Sequence, residues 1–379
     1  MNMKSVLITG GAGFIGSNLA IKLIKKGYNV RVLDNLNPQI HGDNPDNSYT
    51  YNLIKNKVDF IKGTVESKDD WKRAIKGIDV IVHLAAETGT GQSMYDIDHY
   101  VSVNIGGTAK MWDVLTNEQN QVKKVVVAAS RAVYGEGKFE CEEHGVVYPI
   151  SRVEEDMSKG DFEVKCPICG KNVKMLPTDE ESELHPTSVY GFSKEAQETL
   201  SLLVGKSINI PVVAFRFQNV YGPGQSLKNP YTGILSIFST RIKNNNDINI
   251  FEDGKETRDF VYIEDVTDAV SLGIEKEAAN YQIFNVGSGE KIDVLTVANT
   301  LKSKYNSNVK IIVSGNYRLG DIKDNIADLT KIHNLLGYEP KVNFIQGISN
   351  FVDWVEKQKI EKDNYEISIE EMKRKGLYK

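Results

Sequence analysis

At 379 residues, 40% of them hydrophobic and 26% charged, the chain has the composition of an ordinary globular protein and enough length for one large domain or two lobes. A net charge of −5 leaves no broad basic surface, so neither nucleic acid nor an anionic membrane is expected as a partner. Apolar stretches such as 78–86 fall far short of the roughly 20 residues that cross a bilayer. The N-terminus runs straight into a strand without a charged-then-apolar leader, and three cysteines cannot all pair with one another. A cytoplasmic location is the expectation.

Strands are predicted over Ser5–Thr9, Asn29–Leu33, Val58–Lys62, Val80–Leu84 and Lys124–Ala128. Amphipathic helical patterns separate them; the first, Phe14–Lys26, closes on Gly27 where a glycine C-cap belongs. Near-continuous apolar strands alternating with helices predict a parallel sheet covered on both faces, a doubly wound α/β fold of the Rossmann type. From Phe139 the rhythm breaks into a polar segment containing Cys and Gly, read as an insertion over 139–178. A helix over Val189–Gly205 and a strand over Pro211–Phe217 resume the pattern. The expected division is a dinucleotide-binding domain over 1–217 and a smaller, mixed α/β substrate lobe over 218–379, with 259–290 returning to the first domain. The charged end, Ile360–Lys379, is predicted as a helix forming a solvated cap.

The run Thr9-Gly10-Gly11-Ala12-Gly13-Phe14-Ile15-Gly16 follows a strand and opens a helix. Glycines there let the backbone approach a pyrophosphate, and the helix start presents free amides and a positive dipole end. Asp34, at the end of the next strand, accepts hydrogen bonds from ribose hydroxyls and repels a 2′-phosphate, so the expected cofactor is NAD.

Every cysteine lies in the insertion, in Cys141-Glu-Glu-His144 and Cys166-Pro-Ile-Cys169. Three thiolates and an imidazole satisfy a tetrahedral zinc with no position left for water, so a structural zinc on Cys141, His144, Cys166 and Cys169 is predicted. A redox dithiol at Cys166 and Cys169 is the alternative. His83 and His185 read as ordinary polar or core-edge residues.

Tyr190-Gly-Phe-Ser-Lys194 sets a tyrosine and a lysine four apart, on one face of a helix. A nearby ammonium favours the phenolate. With the glycine loop, this pair resembles the extended short-chain dehydrogenase/reductase family of NAD-dependent nucleotide-sugar epimerases and dehydratases. The resemblance implies Tyr190 as acid/base, Lys194 as a second hold on the nicotinamide ribose, and Ser130, in Ala129-Ser-Arg-Ala-Val-Tyr-Gly135, as the hydroxyl that binds the reacting oxygen. It places Gly10, Gly13, Phe14, Ile15, Gly16, Asp34, Asn35, Thr64, Val65, Leu84, Ala85, Ala86, Asn104 and Phe217 around the cofactor. On the substrate side it implies Glu87, Thr88, Ser130, Arg131, Asn219 and Gln225, with Arg258 and Arg318 on the diphosphate; a homodimer is also implied. Gly63-Thr64 departs from the Gly-Asp with which many members bind adenine.

Within the family, Gln218-Asn-Val-Tyr-Gly-Pro-Gly-Gln-Ser, Glu87-Thr-Gly-Thr-Gly-Gln-Ser93 and the Cys/His insertion look most like the dTDP-L-rhamnose 4-epimerase branch. Dehydratases of the family carry an Asp-Glu pair after the catalytic Ser/Thr, whereas this chain has Arg131 and Ala132. The expectation is therefore 4-epimerisation. A reductase or dehydrogenase of 4-keto-6-deoxy sugar nucleotides is the rival, and a non-catalytic NAD-binding scaffold the reading from another class.

Overall fold

The structure is a computed structural model that describes residues 4–231 and 233–379. Seven parallel strands form the central sheet: β1 Ser5–Thr9, β2 Asn29–Asp34, β3 Asp59–Lys62, β4 Val80–His83, β5 Lys124–Ser130, β6 Val212–Phe217 and β7 Gln282–Val286, in the order β7-β6-β5-β4-β1-β2-β3. Alternate side chains serve opposite faces. Val6, Ile8, Val80 and Val82 join one core with helices Phe14–Lys25 and Ile263–Glu275. Leu7, Ile81, Val125 and Val127 join another with helices Lys68–Ala74 and Gly107–Asn117. Burial on both faces is why these strands read as unbroken apolar runs. The strand order reverses between β1 and β4, and ligands of open α/β sheets bind beyond the carboxyl ends of strands at such a point.

β5 continues two residues past its expected end because Ala129 and Ser130 still pair with Arg216 and Phe217. β6 starts at Val212, since Pro211 has no N–H to give the ladder. His83 is fully buried, with Nδ1 2.7 Å from Thr9 Oγ1 and Nε2 3.1 Å from Thr108 Oγ1. Burial drops its pKa to about 3, so it is a neutral strut.

Residues beyond β6 build a mixed layer around Tyr221, Phe238, Phe260, Ile348 and Phe351. There Asn219–Tyr221 pairs with Thr257–Tyr262 in parallel, and the latter pairs with Lys291–Asp293 antiparallel. The helix Ile263–Glu275 and β7 return the chain to the main sheet. The insertion has a three-stranded sheet of Phe139–Cys141, Gly145–Val147 and Lys174–Met175, with a small core on Phe139, Val147 and Val164. Arg152 anchors it. That guanidinium, 2% exposed, meets Glu252 and Glu136 and donates 2.9 Å to the Asp321 carbonyl.

The C-terminal tail differs from expectation. Its helix Tyr365–Arg374 buries Tyr365, Ile369 and Met372 against Ile237 and Phe251, and Tyr378 bridges antiparallel to Arg318. It is a packed strap. No helix among the described residues is long and apolar enough to cross a membrane.

Candidate active site

A cleft of about 1090 Å³ opens over the carboxyl ends of the strands, from the glycine loop to the residues that follow β6. At one end the backbone at Gly10 has φ +66°, and a Cβ there would sit 2.8 Å from the Ala85 backbone nitrogen. A Cβ on Gly16 would lie 2.4 Å from the Gly10 carbonyl oxygen. Only glycines allow so close a turn. The helix that follows starts at Phe14 with no side-chain cap and no acidic residue in its first turn, which leaves its amides for an anion.

Asp34 locks the loop: Oδ2 accepts from Ala12 N–H at 2.9 Å and Oδ1 from Leu36 N–H at 2.8 Å. Burial pushes its pKa up, opposed by those hydrogen bonds and by His41, whose Nε2 lies 3.8 Å away. His41 itself is held down by burial. At the departure Gly63-Thr64, the Thr64 N–H donates 3.0 Å to Asp70 Oδ2. Position 64 thus brings no carboxylate to the cleft; Asp70, from the next helix, holds its backbone amide and is off the wall.

At the other end, Ser188 caps the helix Val189–Ser207 by accepting from Gly191 N–H at 3.1 Å, and Tyr190 N–H donates 3.0 Å to Ser93 Oγ. Ser130 and Tyr190 are neighbours on the cleft wall, and the Ser130 Oγ accepts from Ala132 N–H at 3.2 Å. Burial raises the phenol pKa, while the neighbouring Ser130 hydroxyl and the Arg131 guanidinium pull it down. Lys194 Nζ donates to the Ala128 carbonyl and to Gln197 Oε1, each at 2.8 Å, and burial takes its pKa to about 7. The cation acting on the phenol here is Arg131, a role that spacing alone assigned to the lysine. No described residue accepts a hydrogen bond or ion pair from Arg131, and burial with the nearby Arg258 charge lowers its pKa to about 10.

Of the residues assigned to the cofactor, all but Asn104 line this cleft. Asn104 stands behind the wall, fully buried in a π-helical turn, Val101–Gly106. Its Oδ1 accepts from Glu87 N–H at 2.8 Å, and its Nδ2 donates to Ser193 Oγ at 2.9 Å; it positions Glu87. On the substrate side, Arg258 and Arg318 are off the wall. Arg258 donates to the carbonyls of Thr257, Ile322 and Lys323, and Arg318 pairs with Asp321 at 2.7 Å. The carboxylate of Glu87 is held by Asn37 at 3.1 Å and lies 3.2 Å from His99 Nε2. Gln218 and His41, which line the cleft, were not assigned from sequence. Gln218 sits inside a motif already singled out, but a missing partner leaves no mark in a sequence.

Cys141, His144, Cys166 and Cys169 converge, their ligand atoms all within 4.8 Å of one another. Cys141 Sγ is 3.7 Å from Cys169 Sγ and 3.5 Å from His144 Nδ1, and Cys166 Sγ is 3.7 Å from that nitrogen.

The NAD dependent epimerase/dehydratase family matches residues 6–152 and 166–287, the break falling within the insertion. The dTDP-L-rhamnose 4-epimerase of Burkholderia thailandensis is 34% identical over 355 residues, covering 93% of this chain and 95% of that protein. A putative UDP-glucose 4-epimerase of Methanocaldococcus jannaschii is 29% identical, covering 92% and 98%. Among solved structures, the UDP-glucose 4-epimerase of Thermotoga maritima with UDP-glucose superposes with TM-score 0.75 at 28% identity, covering 93% and 99%. That of Thermus thermophilus with NAD gives 0.73 at 25%, covering 94% and 100%. With its glycine loop, Tyr190 and Ser130 meeting in one cleft, the chain belongs to the NAD-dependent epimerase/dehydratase family.

Proposed function

We propose that this protein inverts C4 of a nucleotide-linked 6-deoxyhexose, of the dTDP-L-rhamnose to dTDP-6-deoxy-L-talose type, through a transient 4-keto sugar, as a cytoplasmic homodimer. The observation that carries the reading is Ser130 beside Tyr190 on the wall at the far end of a cleft that begins in a dinucleotide loop. The loop fits NAD: Gly10 and Gly16 allow a turn so tight that a Cβ on either would collide with neighbouring backbone, and the uncapped helix start and Asp34 suit pyrophosphate and ribose. Bound NAD supplies a hydride acceptor that becomes the donor in the return step. Tyr190 Oη takes the proton from the sugar 4-hydroxyl and later gives it back, while Ser130 Oγ holds that oxygen. Lys194 has one proton left after Ala128 and Gln197 to hold the nicotinamide ribose, and Arg131 favours the phenolate and meets the sugar. Asn219 and Gln225 face the same space. Arg258 and Arg318 would have to swing from their present partners to reach a diphosphate.

Dehydration of a 6-hydroxyl needs extra acid/base groups, and Arg131 and Ala132 supply none. Incubation of dTDP-L-rhamnose with enzyme and NAD, followed by NMR at C4, tests the proposal. Interconversion with the talo epimer and no net NADH is expected. Stoichiometric NADH moves the assignment to a dehydrogenase, and a 4-keto-6-deoxy product from dTDP-glucose overturns the exclusion of dehydratase chemistry.

The reading includes a structural zinc in the insertion. Zn–S bonds of about 2.3 Å and a Zn–N bond of about 2.0–2.1 Å place tetrahedral ligands about 3.5–3.8 Å apart, the range of the three separations above. A small segment that folds around so short a core needs such a staple. Elemental analysis is expected to give about one zinc per chain, and chelation to raise hydrogen exchange in 139–178 before the main sheet opens. A protein without stoichiometric metal, with Cys166 and Cys169 freely reactive, rules the zinc out in favour of the dithiol.

A further inference from the structure

On the cleft wall, the carboxamide of Gln218 is left without a partner among the described residues. Gln218 is 5% exposed and lines the cleft, yet neither its Nε2 nor its Oε1 makes a hydrogen bond with any described residue. Its backbone is fixed, the N–H donating 2.9 Å to the Val286 carbonyl of β7. Leaving a buried amide unsatisfied is costly, and chains keep such groups where a ligand completes them. Its position selects the ligand. Phe217 pairs in register with Ser130, so Gln218 stands one residue beyond the partner of the catalytic serine, and Asn219 follows it on the same wall. That is the reacting end of the cleft, opposite the end that begins at Gly10.

Its chemistry narrows the choice further. A carboxamide both donates and accepts, and so does a sugar hydroxyl. A phosphate only accepts, and would leave Oε1 unsatisfied. Arg131, also without a partner among the described residues, only donates and lines the same cleft. We infer that Gln218 recognises the pyranose, exchanging hydrogen bonds with a hydroxyl beside the carbon that is inverted. The inference rests on the nucleotide-sugar reading above.

The test titrates the NAD-loaded enzyme with dTDP-L-rhamnose and, separately, with dTDP, in the wild type and in Gln218→Leu. The variant is expected to bind the nucleotide sugar about 10–100-fold more weakly, with unchanged affinity for dTDP and unchanged NAD content. Its thermal stability without substrate should match or exceed the wild type, because an unsatisfied buried amide has been replaced by an apolar group. Gln218→Met, closer to the original shape, should behave the same way if the leucine variant folds poorly. Equal affinity for the sugar nucleotide in both proteins overturns the inference. So does an equal loss for dTDP, or release of NAD, which would move Gln218 to the nucleotide or the nicotinamide. If the wild type does not turn over dTDP-L-rhamnose, the functional proposal falls by itself. The comparison is then made with whichever nucleotide sugar of a panel the wild type does epimerise and with its sugar-free nucleotide.

Discussion

Replacing Tyr190 with Phe lowers turnover by a factor on the order of a hundred or more, the scale of losing a general acid/base, while NAD and nucleotide sugar still bind. The substitution removes one oxygen and leaves the ring in place, so the wall of the cleft keeps its shape. What is lost is the group that shuttles the proton of the 4-hydroxyl. Burial works against ionising that phenol, and the neighbouring Ser130 hydroxyl and the Arg131 charge work for it. A defect confined to kcat is therefore expected. Lys194→Ala should differ in kind. With its ammonium buried and fixed to Ala128 and Gln197, its loss should lower both turnover and the NAD retained on purification. Steady-state kinetics with measurement of bound nucleotide separates the two. Near-normal turnover in Tyr190→Phe would show that another group moves the proton.

The parts of this site that spacing made legible are those where backbone geometry dictates residue type. Gly10 and Gly16 touch neighbouring backbone so closely that no other residue fits, and Asp34 must end β2 to reach Ala12 N–H. Tyr190 and Lys194 were legible because a helix puts residues four apart on one face. Side chains whose roles depend on tertiary neighbours were not. Lys194 shares a helix face with Tyr190, but its nitrogen is drawn to Ala128, and Arg131 supplies the charge. The carboxylate at Thr64 comes from Asp70, six residues on. Arg258 and Arg318 were placed by motif, whereas the aim of a long guanidinium side chain is set by the acceptors around it. The strap could have been read from Tyr365, Ile369 and Met372, which fall at helical spacing on one face. Their signal was masked by the charges between them.

Replacing Arg216 with Met is expected to destabilise the fold by about 3–5 kcal/mol, the cost of stranding a buried charge. Arg216 and Glu198 are each 3% exposed and joined by two hydrogen bonds, of 2.9 and 2.6 Å. The guanidinium also donates to Tyr134 Oη at 2.9 Å and to the Glu180 carbonyl at 3.1 Å, and lies over the Tyr134 ring at 4.8 Å. Tyr134 passes the chain on to Asn285 of β7 at 2.8 Å. Arg216 therefore ties β6, whose end carries Phe217 and Gln218, to the helix that carries Tyr190 and Lys194. With methionine there, Glu198 keeps its burial but loses its counter-charge, and Tyr134 and the Glu180 carbonyl each lose a donor. Removing both charges should cost much less than removing one, because the desolvation of a pair is close in size to its attraction. Arg216→Met with Glu198→Leu should recover a large part of the loss. Denaturant unfolding of the two single variants and the double variant reads this directly. A loss under about 1 kcal/mol in Arg216→Met would mean that water or a shifted side chain replaces the guanidinium, and that the tie between strand end and catalytic helix lies elsewhere.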